Sequence, residues 1–134
     1  MKQTTTIYRH YLTWEQVESA IDNIAKQLKD SKLPIASIYG IPRGGLIPAV
    51  MLSHKLGLPI TRNLEKNALV VDDICDSGET IKHHMSLGYS VATILYKLSA
   101  EVKPTFYFEI AREDAWYVYP WETKDSNPIQ DYLT

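Results

Sequence analysis

A single cysteine, Cys75, stands in 134 residues, which excludes a disulfide framework and a cysteine-based metal centre. Basic excess is missing too. Fourteen Lys and Arg face sixteen Asp and Glu, a net charge of -2 with no basic tract, so nothing favours nucleic acid electrostatically. No apolar run approaches membrane-spanning length, and no signal-peptide pattern is present. The four histidines include the adjacent pair His83-His84, which lacks the i, i+4 spacing of a two-histidine metal site. The dinucleotide glycine fingerprint and the P-loop Gly-Lys-Ser/Thr are both absent. What remains is the expectation of one cytoplasmic domain spanning 1-134 with one core, and with neither a membrane nor a nucleic acid as partner.

What is present centres on Ala68-Leu69-Val70-Val71-Asp72-Asp73-Ile74-Cys75-Asp76-Ser77-Gly78-Glu79-Thr80-Ile81. Four apolar residues without alternation read as a strand buried on both faces of a parallel sheet. Ser77 to Thr80 read as a turn opening a helix, with Ser77 as N-cap. Ligands of open α/β sheets bind at the carboxyl ends of strands. Three carboxylates beside a helix N-terminus suit a molecule both hydroxylated and phosphorylated. The first-turn N–H groups attract phosphate, and carboxylates suit ribose hydroxyls or a hard cation such as Mg2+. The plainer alternative is a polar turn that merely ends the strand.

Around this stretch the chain alternates helix and strand. Thr13 and Gln16 have capping-box spacing, and Trp14, Val17, Ile21, Ile24 and Leu28 predict a helix from about Trp14 to Leu28. Residues Ile7 to Tyr11 read as a short strand or arm. Ile35 to Tyr39 read as a strand ended by Gly40, and Leu46 to Leu56 as a helix stopped by Gly57. Between them, Gly40-Ile41-Pro42-Arg43-Gly44-Gly45 offers backbone that a ligand can approach closely, plus a guanidinium able to grip a diphosphate. Leu58-Pro59-Ile60 is a stub of strand. The helix after Ser77 is expected to end near Leu87, before Gly88. Val91 to Tyr96 form another strand with Lys97 at its end, and alternating Phe106, Phe108 and Ile110 a further one. The histidines read as surface or partly packed. Past Ala111 the chain reads as irregular and aromatic, a lid over the core or a stacking surface for a flat heterocycle.

Alternation of this kind predicts a mostly parallel sheet flanked by helices, with the Arg43 loop, the Asp72–Thr80 loop and Lys97 converging at its carboxyl edge. The stretch from Val70 to Thr80 resembles the 5-phosphoribosyl 1-diphosphate (PRPP) motif of type I phosphoribosyltransferases. Pro42-Arg43-Gly44-Gly45-Leu46-Ile47-Pro48 resembles their pyrophosphate loop. Trp116-Tyr117-x-x-Pro120-Trp121-Glu122 is similar to the tail of bacterial xanthine–guanine phosphoribosyltransferases, and Lys97 agrees.

The resemblance implies a Rossmann-like α/β fold with a small aromatic C-terminal hood, about 111-134. It implies transfer of a phosphoribosyl group from PRPP to a 6-oxopurine (guanine, xanthine or hypoxanthine) in purine salvage, with Mg2+ as cofactor. By position, the PRPP site takes Arg43, Gly44, Asp72, Asp73, Ile74, Cys75, Asp76, Ser77, Gly78, Glu79 and Thr80, with Asp73 on the metal. Asp76 accepts the base proton as catalytic residue, Lys97 meets the 6-oxo group, Trp116 stacks on the base and Tyr117 meets its edge through its backbone. A homodimer or higher homo-oligomer is implied as well.

Two departures stand out. Only Thr61 to Asn67 joins Ile60 to the central strand, where the family carries a long mobile segment; Arg62 and Lys66 there could supply charge but hardly cover. Glu79 places a carboxylate inside the phosphate loop. The alternative is therefore a non-catalytic PRPP- or nucleotide-binding regulatory module; the enzyme is favoured because Asp76, Lys97 and Trp116 serve the base.

Overall fold

The computed structural model describes residues 8–123. Strands are β1 (Tyr8–Tyr11), β2 (Ser37–Gly40), β3 (Ala68–Cys75), β4 (Ser90–Tyr96), β5 (Phe106–Ile110) and β6 (Ala115–Val118); helices are α1 (Trp14–Ser31), α2 (Leu46–Leu56) and α3 (Glu79–Ser86). A four-stranded parallel sheet runs β2-β3-β4-β5, and β1 pairs with β6, again in parallel, as a separate ribbon. Ile7, and the part of the expected hood beyond Thr123, lie outside the described residues.

The capping box forms: Gln16 N–H donates to Thr13 Oγ1 (3.1 Å) and Thr13 N–H to Gln16 Oε1 (2.9 Å). Helix α1 runs to Ser31, three residues past the last apolar position, because exposed Lys29 and Asp30 keep helical geometry without contributing to the buried stripe. Lys32 then closes it in the left-handed conformation, with φ of 57°. Helix α2 has the expected bounds, and Gly57 is its left-handed C-cap. Strand β2 starts later than Ile35 and takes in Gly40, where an added Cβ would lie 2.8 Å from Ala49 Cβ. Only a residue without a side chain lets α2 return that closely over the strand.

One core cluster joins α1 and α2 to Leu69, Val71, Ala92 and Phe106; the other joins Ile81 of α3 to Val70 and Val91. The sheet is thus covered on both faces. The acidic tip is a break in this pattern. Up to Val71 the strand alternates, yet Ile74 packs with the α1/α2 cluster and Cys75 with the α3 cluster, so alternation slips by one residue across Asp72-Asp73. Strand β4 slips at the same level, Ile94 and Leu95 both facing the α1/α2 cluster. The register therefore holds from Asp72↔Thr93 to Ile74↔Leu95 while omitting Asp73.

Two expectations need correction. The stretch after Ala111 is not irregular: Ala115–Val118 is a strand, because β1 supplies it with a partner, in register from Tyr8↔Ala115 to Tyr11↔Val118. His84 is buried rather than superficial, with Nδ1 2.8 Å from the Thr80 carbonyl oxygen. Among the described residues no helix is long and apolar enough to cross a membrane.

Candidate active site

Strand β2 ends at Gly40, opposite Val71. The chain then turns through Ile41 to Gly45, tied down by Ile41 N–H to the Val71 carbonyl (2.9 Å) and by Gly45 N–H to the Ile41 carbonyl (2.8 Å). The Pro42-Arg43 peptide within this turn is cis. Gly44 lies against the Asp73 carboxylate: a Cβ there would stand 2.5 Å from Oδ2. The two glycine-bearing and acid-bearing loops singled out from the sequence thus meet directly.

At the acidic tip, Asp73 N–H donates to Asp72 Oδ1 (2.9 Å) and Ile74 N–H to Asp73 Oδ1 (2.8 Å). Burial, and then the neighbouring Asp73 charge, push the Asp72 carboxyl well above the ordinary carboxylate range; burial raises Asp73 as well. Two crowded, desolvated carboxylates favour anything that neutralises them, whether proton, sugar hydroxyl or cation. No cluster of three or more His, Cys, Asp or Glu able to hold a metal occurs among the described residues. The donor set still fits Mg2+, which is commonly held by one or two carboxylates with the remaining positions left to water and substrate phosphate oxygens.

Beyond the tip lies a cleft of about 340 Å3 lined by Asp72, Ile74, Asp76, Ser77, Gly78, Thr80 and Ile81. Its floor is the start of α3. Here the cap differs from expectation: Gly78, with φ of 86°, occupies the N-cap position, and Ser77 stands one residue earlier. The reason is steric. A Cβ on residue 78 would lie 2.9 Å from Glu101 N, so only glycine fits both the left-handed turn and the loop after β4. That loop is bonded to the turn through Glu101 N–H and the Ser77 carbonyl (2.9 Å). Glu79 is exposed and outside the cleft lining, so its carboxylate does not face an incoming anion.

The remaining sequence-derived residues divide. Lys97, anchored by its N–H to the Cys75 carbonyl (3.0 Å), sends Nζ to Asp76 Oδ1 at 3.1 Å. Ile74 lines the cleft. The Cys75 side chain does not: it is buried against the Val102 carbonyl, and desolvation raises its thiol to about 11. A ligand can meet Cys75 only through its backbone. Trp116 is 40% exposed on β6, opposite Arg9. Tyr117 sits next to it, half-buried, with its hydroxyl accepting from Arg112 N–H (2.9 Å) and its ring 5.2 Å from that of His10. Neither lines the cleft at Asp76.

The short connection is anchored at both ends away from the tip. Ile60 bridges Ile38, which pairs with Leu69 near the start of β3. Asp73 lies four residues farther on, roughly 13 Å at the usual strand rise. Lys66 shares a depression with Leu87, Gly88 and Tyr89 at the amino end of the sheet, so it supplies no charge to the acidic tip.

Two residues at the tip were given no role by the sequence. The Tyr119 hydroxyl donates to the Asp73 carbonyl (2.8 Å), and its N–H donates to Glu122 Oε1 (2.8 Å). Burial and the Asp73 charge raise the Glu122 carboxyl, while Arg43 opposes the shift. No periodicity marks either residue, since both lie in the turn after β6, whose partner strand β1 stands about a hundred residues earlier in the chain.

No family model matches the chain. The crystal structure of a purine phosphoribosyltransferase from Pyrococcus horikoshii superposes with a TM-score of 0.73 at 31% identity, covering 90% of this chain and 99% of that one. The chain belongs to the purine phosphoribosyltransferases. Its fold is accordingly that of the type I members, and the class is that of glycosyltransferases. The xanthine-guanine phosphoribosyltransferase of Gluconobacter oxydans is 25% identical, with 88% of this chain and 87% of that protein covered. That alignment spans 146 residues, more than the 134 of this family member, so the relative carries stretches that are lacking here. The xanthine-guanine-hypoxanthine enzyme of Helicobacter pylori shares the fold at a TM-score of 0.72 and 22% identity, over 86% of this chain and 94% of that one.

Proposed function

We propose that this phosphoribosyltransferase moves the 5-phosphoribosyl group of PRPP to a ring nitrogen of a 6-oxopurine, guanine, xanthine or hypoxanthine, releasing pyrophosphate in a Mg2+-dependent reaction. One observation carries the reading. Gly44 abuts Asp73 on one side of the tip, while the cleft from Asp72 to Thr80 opens on the other, beside the Asp76–Lys97 pair. A diphosphate, a ribose phosphate and a base therefore each have a place along one edge.

In this reading the first-turn N–H groups of α3, with the Ser77 and Thr80 hydroxyls, hold the 5′-phosphate. Asp72 and Asp73 take the ribose hydroxyls, and Asp73 holds the cation, which when bound neutralises the pyrophosphate oxygens. Arg43 and the backbone at Gly44 grip the leaving pyrophosphate. The base nitrogen forms a bond to the anomeric carbon as the bond to pyrophosphate oxygen breaks. The electron pair leaves with pyrophosphate, and Asp76 accepts the proton shed by the base. Lys97 and Asp76 neutralise each other until a base arrives; its ring N–H and its 6-oxo group then replace that contact with two complementary ones. Trp116 and the Tyr117 backbone supply the face and edge of the base site. A single domain assembled as a homo-oligomer belongs to the same reading.

The test is direct: incubation with PRPP, Mg2+ and each of guanine, xanthine, hypoxanthine, adenine and uracil, with pyrophosphate and nucleotide measured. Nucleotide formation from the 6-oxopurines alone is expected. Mg2+-dependent PRPP binding without product from any base would replace the enzyme by the regulatory module.

A further inference from the structure

Asp73 is the one residue of β3 between Leu69 and Cys75 missing from the register with β4. A backbone that leaves its ladder inside a protein must place its polar groups elsewhere. Its N–H goes to Asp72 Oδ1, and its carbonyl accepts from the Tyr119 hydroxyl at 2.8 Å. The side chain is fixed as well, with Oδ1 accepting from Ile74 N–H and Gly44 pressed against the carboxylate.

Tyr119 is itself held on every side. It is 3% exposed, its ring stacks on Trp121 (centroids 4.9 Å apart, planes at 15°), and Trp121 meets Trp14 at the start of α1 (5.8 Å). The turn is closed by two bonds, Tyr119 N–H to Glu122 Oε1 (2.8 Å) and Glu122 N–H to the Tyr119 carbonyl (2.9 Å). A buried tyrosine needs some acceptor for its hydroxyl, and simple core packing would account for that much. Packing alone does not account for the acceptor found, which is the carbonyl at the slip in the strand.

We propose that Tyr119 is a positioning residue: its hydroxyl takes the place of a neighbouring strand at Asp73 and thereby sets the angle at which the Asp73 carboxylate faces the pyrophosphate loop. The C-terminal turn and the acidic tip are then one mechanical unit. The functional half of this inference rests on the assignment of Asp73 to the cation and donor; the structural half does not.

The experiment keeps the two apart. Tyr119→Phe retains the ring and its stack while removing the donor, and Trp121→Phe weakens the stack while keeping the hydroxyl. Without ligand, hydrogen exchange at the Asp73 and Ile74 amides should rise about tenfold in Tyr119→Phe, the scale of one lost hydrogen bond, and not in Trp121→Phe. With Mg2+ and PRPP, calorimetric titration should show affinity weakened roughly tenfold in Tyr119→Phe, with the KM for base unchanged. Unchanged exchange at Asp73, or an equal rise in both variants, would overturn the proposal. Raised exchange in Tyr119→Phe, together with an unaltered protein that fails to bind PRPP, would leave the positioning intact and remove the site assignment instead.

Discussion

The two ends of the cleft are built differently. At the pyrophosphate end, Asp72 accepts from Asp73 N–H, Asp73 accepts from Ile74 N–H, and Gly44 and Tyr119 close on Asp73, so both carboxylates are held in place. At the base end, the Asp76 side chain is 58% exposed and pairs with Lys97, while Trp116 is itself 40% exposed. Preorganised charge is most effective where charge develops in the transition state, because no dipole has to turn during the reaction. A base, by contrast, must enter and a nucleotide must leave, so that end is left for the ligand to complete. The stiff end is also the strained one: burial raises both carboxyls there, and the Asp73 charge raises Asp72 further.

The comparison can be broken most severely at Asp76. Asp76→Asn is expected to lower kcat by about 10²–10⁴, the usual contribution of a general base, with PRPP affinity hardly altered; an equal loss of PRPP binding would put Asp76 on the donor instead. Gly44→Ala drives a methyl group into the Asp73 carboxylate. Displacement of that order should cost about 10²-fold in turnover and weaken pyrophosphate more than nucleoside monophosphate, measured by calorimetry. Comparable losses for both ligands would mean that the two ends are not separable.

Trp116→Ala should weaken nucleoside monophosphate by about 1–3 kcal/mol, the scale of one aromatic stack, and leave pyrophosphate binding as it was. If nucleotide affinity does not move, the open end lacks the base face assigned to it. The smallest effect is on stability. A carboxyl raised above its unfolded value makes the folded state the tighter proton binder, so the ligand-free protein loses stability as pH climbs from about 4 toward the raised value. Asp72→Asn removes that loss while keeping an oxygen for Asp73 N–H. Its melting temperature should exceed the parent's by a few degrees near about pH 7 and match it near about pH 3, as followed by circular dichroism. A destabilised Asp72→Asn at neutral pH would show that the tip is not strained.

Much of this was readable in the chain itself. The capping box at Thr13 and Gln16, the bounds of α2 and the run into Asp72-Asp73 are local signals, each governed by residues within one or two turns. The Ser77 cap is corrected, and the burial of the Cys75 side chain goes unsignalled, for a common reason. Position in a motif says nothing about the slip in β3 that turns Cys75 inward, nor about the loop at Glu101 that claims Gly78 as the cap. Strand β6 was missed because its partner lies at the other end of the chain, and four residues of mixed burial carry no pattern of their own.

By itself, then, the sequence determined the alternation of parallel strands and helices, and hence which loops would share the carboxyl edge, since period and turn chemistry are short-range properties. Only the tertiary structure decided that Lys66 and Asn67 lie at the amino end of the sheet and that Lys97 reaches Asp76. It alone decided, too, that Tyr119 closes on Asp73. Those outcomes depend on which unpaired backbone and side-chain groups meet once the core is packed, and no stretch of chain shorter than the whole contains that information.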